Sequence, residues 1–162
     1  MVLTSRTRAI TIATAATITI ALDQLHKWWM LYELGIANRD PIEVLPFFRL
    51  VMVWNQGVSF GMLTHDVSYM RWFLIAMAFI ICAVMLRLGL KSNLKVERIG
   101  YGMVIGGALG NVIDRLRFGA VADFFHFHVG SFSYPAFNIA DSAICVGVGL
   151  LLWMMTRHPS KP

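Results

Sequence analysis

Four apolar runs, at about residues 9–31, 70–90, 99–117 and 137–156, alternate with stretches where charges, glycines and aromatic residues mix. Each run is long enough to cross a bilayer as a helix, so the pattern predicts four transmembrane helices. The charge-free part of each run is shorter: 9–22, 72–86, 99–113 and 142–156, 14 or 15 residues apiece. At 1.5 Å per residue such a stretch covers roughly 21–23 Å, less than the roughly 30 Å hydrocarbon core. To span, the first, third and fourth helices must draw in the acids at their edges, Asp23, Asp114 and Asp141.

Lysine and arginine density sets the orientation. Segments 1–8, 87–98 and 157–162 carry 8 basic residues among 26, whereas segments 27–71 and 115–135 carry 6 among 66. Both termini are therefore expected inside. The first and third helices then run outward with the acid at their far end, and the fourth runs inward with the acid at its start. All three acids fall at one depth, just under the outer surface. Ionisable groups in a membrane cost at least ~2.5–3.5 kcal/mol each on insertion scales, so several at one level read as a site. Asn138 followed by Asp141 is also a helix-start signal, an N-cap with an acid three residues on. A cap alone does not account for Asp23 and Asp114 at the same level.

The outer segments are patterned differently. The stretch 32–70 is too long for a simple connector. Within it "ELGIANRD" reads as a short interfacial helix, and "FFRLVMVWNQGVSFGML" as a hairpin turning at Asn55-Gln56-Gly57. Segment 121–134, "VADFFHFHVGSFSY", reads as two short strands around Gly130. Lipid cannot satisfy open strand edges, so a small sheet must lie at or above the headgroups. On the third helix Gly102, Gly106 and Gly110 recur every fourth residue, a face that admits a neighbouring helix closely. Ala143 and Gly147 offer a matching groove on the fourth, and packing of these two helices would bring Asp114 and Asp141 together.

Composition agrees. Apolar types make up 57% of the 162 residues and charged types 14%, with a mean hydropathy of +0.65. A soluble domain carries about 25% charged residues. The expected fold class is all-α integral membrane, with four transmembrane helices, a small extracytoplasmic β-sheet and a short interfacial helix in a single domain over 1–162. The basic start and Thr/Ala/Ile-rich middle of the first run suggest a signal peptide. Asp23, Lys27 and "WWMLY" follow without a small-residue cleavage site, so the run is expected to be retained. The net charge of +5 lies in short clusters between apolar runs, which fits membrane orientation and not nucleic-acid binding. Cys82 and Cys145 sit inside apolar runs and are expected to be small buried hydrophobes, not a disulfide.

Candidate chemistry centres on carboxylates. Asp123 follows the polar break after the third helix, Asp141 opens the fourth, and the hairpin between them returns the chain to nearly the place it left. Two carboxylates sharing a partly dry site cannot easily both ionise, so one keeps a proton. The ionised one can take a proton from water while its neighbour donates to a substrate carbonyl, which is the equipment of an aspartic peptidase. A Ser–Lys arrangement of Lys27 with Ser59 or Ser142 competes, but Lys27 follows Asp23 by four residues, the spacing of an intrahelical ion pair. Cys145 has no helical histidine nearby to activate it. His126 and His128 share a strand face, and with Asp123 as a third ligand zinc is conceivable, although no metal or other cofactor is expected. Proton-coupled transport is the rival reading, because intramembrane carboxylates also mark proton paths.

The stretches "DQLHK", "NQG", "GGALGNVIDRLRFGAVADF" and "FNIADS", in that order around four spans, resemble the lipoprotein signal peptidases (signal peptidase II) over roughly residues 20–153. The resemblance implies an aspartic endopeptidase of the bacterial inner membrane with its active site on the extracytoplasmic side. Its substrates would be prolipoproteins, cut just before a cysteine that already carries diacylglycerol. The implied catalytic pair is Asp123 and Asp141. The implied supporting and substrate-binding residues are Asp23, Lys27, Asn55, Gly57, Asn111, Asp114, Arg115, Asn138 and Ala140. Membrane lipids are implied partners, and peptide antibiotics such as globomycin implied inhibitors. One departure is visible: Val58-Ser59 stands after Asn55-Gln56-Gly57 where small residues, often Ala-Ala, are expected. The interval "HFHVGSFSY" carries no family motif.

Overall fold

A computed structural model describes residues 5–57 and 67–157. Four long helices, α1 (Ser5–Trp28), α2 (Val67–Lys91), α3 (Lys95–Phe118) and α4 (Ile139–Arg157), carry a small sheet at one end. α1 runs on through a π-helical turn, Trp29–Glu33, and a 3-10 turn, Ile36–Asn38, where a short helix was expected. Gly35, at φ +62, makes the bend between them.

α1, α2 and α4 are long and apolar enough to cross a membrane. α3 is as long, but glycines and its polar far end lower its hydropathy, and it is not among them. It occupies the middle, with α1, α2 and α4 packed around it. The outer helices expose large apolar side chains, among them Leu25, Trp28, Trp72, Phe73, Phe79, Ile80 and Trp153. Exposure of this kind along whole helices is the surface of an integral membrane protein, with lipid as its solvent.

The glycines of α3 do not work as the sequence suggested. A side chain at Gly102 would stand 2.6 Å from the Ile12 carbonyl oxygen, and one at Gly106 2.6 Å from that of Ala16, so this face meets α1, not α4. α4 instead meets Gly100 and Gly107, and its own Gly147 lies against the Gly100 carbonyl. One residue is 100° of rotation on a helix, so two glycine faces offset by one position serve two neighbours.

The sheet has the order β1-β2-β3-β4, antiparallel throughout, with strands Ile42–Leu45, Phe48–Asn55, Val121–Val129 and Phe132–Ser133. The hairpin turn that precedes β2 lies at Pro46-Phe47, between the paired Leu45 and Phe48. The turn expected at Asn55-Gln56-Gly57 leads out of the described residues; there Gly57 holds φ +83 with its N–H on Asn55 Oδ1. Residues 58–66, including Val58 and Ser59, lie outside the described residues. The β3–β4 turn does form at Gly130, which adopts φ +57. Met30, Ile36, Ala122 and Phe124 form a small core that seats the sheet on the end of α1.

Candidate active site

The start of α4 is built as a reciprocal cap. Asn138 Oδ1 accepts from the Asp141 backbone N–H at 2.9 Å, and Asp141 Oδ2 accepts from the Asn138 N–H at 3.2 Å. Each side chain satisfies a helix-end donor that would otherwise have no partner. The other Asp141 oxygen, Oδ1, accepts from Asn111 Nδ2 on α3 at 2.8 Å. Asn138 is fully buried, and its Nδ2 also donates to Asp123 Oδ1 at 2.7 Å and approaches Asn111 Oδ1 at 3.2 Å. The cap and the site are thus made of the same atoms. One asparagine ties both acids, through its side chain to Asp123 and its backbone to Asp141.

Asp123 arrives from β3. The amides of Phe124 and Phe125 both donate to the Phe137 carbonyl, at 3.0 and 2.9 Å, so two residues of β3 oppose one. This bulge turns the strand over by one position. Phe124 and Phe125 both pack toward His26. Asp123 and His126, which strict alternation would place on opposite faces, line the same groove. Asp123 is 1% exposed, and its Oδ2 accepts from Asn55 Nδ2 at 3.0 Å. Burial, reinforced by the charge of Asp141, pushes its carboxyl up to about 6 against the pull of the Asn55 and Asn138 hydrogen bonds.

Beneath this pair lies a buried ionic cluster. Lys27 Nζ is 2.8 Å from Asp23 Oδ2 and 2.7 Å from Asp114 Oδ2, all three side chains being enclosed. The i, i+4 pairing of Asp23 with Lys27 is as expected, and Asp114 joins it from α3. Both acids also hold backbone, Asp23 with its other oxygen and Asp114 with the same Oδ2 that meets Lys27. Asp23 Oδ1 accepts from the Ala140 N–H of α4 at 2.9 Å, and Asp114 Oδ2 from the Ala122 N–H of β3 at 3.2 Å. Each acid therefore fixes the segment that delivers one of the two upper carboxylates. Gln24, not singled out from the sequence, donates to Asp114 Oδ1 at 3.0 Å and to Asp23 Oδ2 at 3.1 Å. Its only signal was its place beside Asp23 in "DQLHK".

The other singled-out residues gather around the rim. Asn55 Oδ1 accepts from the Gly57 N–H at 2.8 Å, and Gly57 holds φ +83 with no room for a side chain against Leu74. Arg115 Nη1 lies 3.4 Å from the Asn111 carbonyl oxygen, within electrostatic reach of Asp141, Asp114 and Asp123. Its buried Nε finds no partner among the described residues. Ala140 is fully buried, its carbonyl against Gly107.

The competing chemistries find less. Lys27 is held by two carboxylates and the Ser142 hydroxyl donates to the Asn138 carbonyl at 2.9 Å, so these two form no Ser–Lys pair. Ser59 lies outside the described residues. Cys145, expected to be buried, is exposed on α4, on a face that lipid would cover, and Cys82 is half-buried. Both ring nitrogens of His126 are engaged, Nδ1 with Arg49 and Nε2 with Ser133, and His128 meets Glu43. Among the described residues no group of histidine, cysteine and acid side chains is placed to hold a metal.

Two carboxylates linked through Asn138, one of them with its carboxyl raised to about 6, can perform general acid and base steps on one bond. Comparison with known proteins agrees. Residues 15–157 match the family described as signal peptidase (SPase) II. A lipoprotein signal peptidase of Methylocella silvestris is 42% identical over 141 residues, covering 87% of this chain and 82% of its own. That of an Azoarcus species is 43% identical over 144 residues, covering 85% and 78%. A bacterial membrane enzyme solved by the in meso method at 2.3 Å superposes with a TM-score of 0.75 at 28% identity, over 93% of this chain and 90% of that one. With three such matches running nearly end to end, the chain belongs to the signal peptidase II family, the lipoprotein signal peptidases.

Proposed function

We propose that this integral membrane protease removes the signal peptide from diacylglyceryl-modified prolipoproteins by an aspartic mechanism, with Asp123 and Asp141 as the catalytic pair. The observation that carries the assignment is the bridge through Asn138, which holds one oxygen of each acid by a separate donor. The raised proton affinity of Asp123 suits it to the general-acid role. In the proposed reaction Asp141 takes a proton from water as the water oxygen attacks the scissile carbonyl carbon. Asp123 gives its proton to the carbonyl oxygen, forming a neutral tetrahedral diol. Collapse returns that proton to Asp123, breaks the C–N bond, and Asp141 protonates the departing amine of the lipidated cysteine. Arg115, whose charge lies near both acids, would steady the negative charge of the pair.

In this reading all four helices span the bacterial inner membrane, α3 shielded by its neighbours, with both termini inside. The sheet lies at the outer headgroups, where a substrate anchored by diacylglycerol presents its scissile bond. Exposed Trp28, Trp29, Tyr32, Tyr69 and Trp72, at the ends of α1 and α2 nearest the sheet, suit an interfacial belt. Globomycin-type peptides would occupy the same cleft. Proton-coupled transport gains no support from the family match. The test is cleavage of a diacylglyceryl prolipoprotein, with its unmodified form as control. Asp123→Asn and Asp141→Asn should each abolish turnover and the double variant should be no worse, as for residues acting as a unit. Either single variant retaining a tenth of wild-type turnover would remove the dyad.

A further inference from the structure

On its sheet side Asp123 opens into a groove of about 600 Å³. Its walls come from β2, Gln56, β3 and residues 133–136, and no residue of α1–α4 contributes. The cleft between α1 and α3 is different, lined by side chains such as Ile10, Ile18, Leu22 and Met103. An apolar signal helix and acyl chains belong beside the helices. The sheet groove, with Arg49, Gln56 and Ser133 on its walls, suits the polar chain that follows the cleavage point.

Within the groove Arg49 is fixed by a chain of hydrogen bonds. Its Nε–H donates to His126 Nδ1 at 2.9 Å, which makes that nitrogen an acceptor. The ring proton must then sit on Nε2, which donates to Ser133 Oγ at 2.7 Å. Partial burial and the neighbouring charges of Arg49 and His128 lower the imidazole's proton affinity, against the pull of Glu43, in keeping with a neutral ring. Ser133 is left with its own O–H to give to an acceptor in the groove. The guanidinium, pinned at Nε, reaches Glu43 Oε1 only at 3.6 Å, and no hydrogen bond from Nη2 is found among the described residues. Among the described residues Arg49 is thus the cation of the groove wall, and beside its loose pairing with Glu43 its Nη2 is open to a further carboxylate.

We propose that this groove receives the residues that follow the lipidated cysteine, and that Arg49, oriented by His126, makes the enzyme prefer an acidic side chain among them. The inference rests on the prolipoprotein reading above and adds a specificity determinant outside the acid pair. With the Arg49 side chain one-third exposed, the preference should be modest, about three- to fivefold in kcat/KM.

The experiment uses the purified full chain in detergent and diacylglyceryl prolipopeptides carrying Asp, Asn or Lys, in turn, at each of the first three positions after the cysteine. At one position kcat/KM should fall in the order Asp, Asn, Lys, and the Asp-to-Asn ratio should shrink in about 0.5 M salt. Arg49→Gln should bring that ratio near one, and Arg49→Lys should keep part of it by retaining charge without the fork. A purely structural role for Arg49 would instead lower all three substrates together and leave the ratio intact. A wild-type ratio near one at all three positions, or a ratio unchanged in Arg49→Gln, overturns the proposal while leaving the peptidase reading in place. Failure of the wild type to cleave any of these peptides overturns both.

Discussion

Replacing Lys27 with methionine removes the one cation between two fully buried carboxylates while keeping most of the side-chain volume. Asp23 and Asp114 each lose a contact under 3 Å. They keep Gln24 and one backbone N–H apiece, Ala140 for Asp23 and Ala122 for Asp114. Breaking a buried pair by removing one partner costs roughly 3–5 kcal/mol, because the other charge stays buried without compensation. For a chain of this size that corresponds to roughly 6–20 °C in the unfolding midpoint. Thermal unfolding in detergent, followed by tryptophan fluorescence, reads the loss. Because Asp23 holds the first turn of α4 and Asp114 the start of β3, prolipoprotein cleavage should fail well below the midpoint. Adding Asp23→Asn and Asp114→Asn should return at least half of the lost stability, since a neutral hydrogen-bonded set needs no cation. A Lys27→Met midpoint within about 2 °C of wild type would refute the ionic cluster as described.

Three further outcomes follow from the same geometry. Asn138→Ala removes the cap and the shorter of the two donors to Asp123, so stability should fall by about 0.5–2 kcal/mol with cleavage down at least tenfold; unchanged turnover would mean that the bridge is incidental. Asp123 holds its proton up to about 6 in the folded chain against 3.8 for an ordinary aspartate. Between those values the folded state binds more protons than the unfolded, so stability should decline as pH rises through this window and level off above it. The decline should be shallower in Asp123→Asn, and a midpoint–pH series for both proteins checks it. Chelators, thiol alkylation and Cys82→Ala with Cys145→Ala should leave cleavage intact, whereas EDTA inactivation reversed by zinc would move the chemistry to His126 and His128.

What the sequence carried well was anything written as a periodicity or a short local motif. Helix positions followed from charge-free runs, the gathering of Asp23, Asp114 and Asp141 from their length deficit, and the cap from Asn138 and Asp141. The polar break and the returning hairpin singled out Asp123, and the resemblance added Asn55, Asn111 and Arg115 around the pair. What it carried poorly depended on relations between segments. The glycine faces of α3 were assigned to the wrong neighbour because spacing defines a face but not the helix opposite it. The β1–β2 turn at Pro46-Phe47 went unread because the turn chemistry of Asn55-Gln56-Gly57 drew the hairpin there, where the Asn55 side chain serves Asp123 and the Gly57 amide. The bulge at Phe124-Phe125 left no trace in the alternating pattern, although it sets which way Asp123 faces. Gln24 escaped because an amide that bridges two buried acids looks, in a sequence, like any polar residue near a helix end.

The arrangement also bears on when the site forms. Neither acid has its partners until α3, α4 and the sheet are together, since Asp141 needs Asn111, and Asp123 needs Asn138 and Asn55. The first turn of α4 in turn is closed by Asp23 from α1 and by its own Asn138–Asp141 cap. The helix cap and the acid pair therefore depend on the same buried asparagine, so a change that displaces it disturbs both. A carboxylate that reached this depth without its partners would bear the insertion cost of a buried charge unrelieved. Misassembled chains should thus hold Asp123 and Asp141 apart or protonated, and the chemistry should appear only with the finished fold.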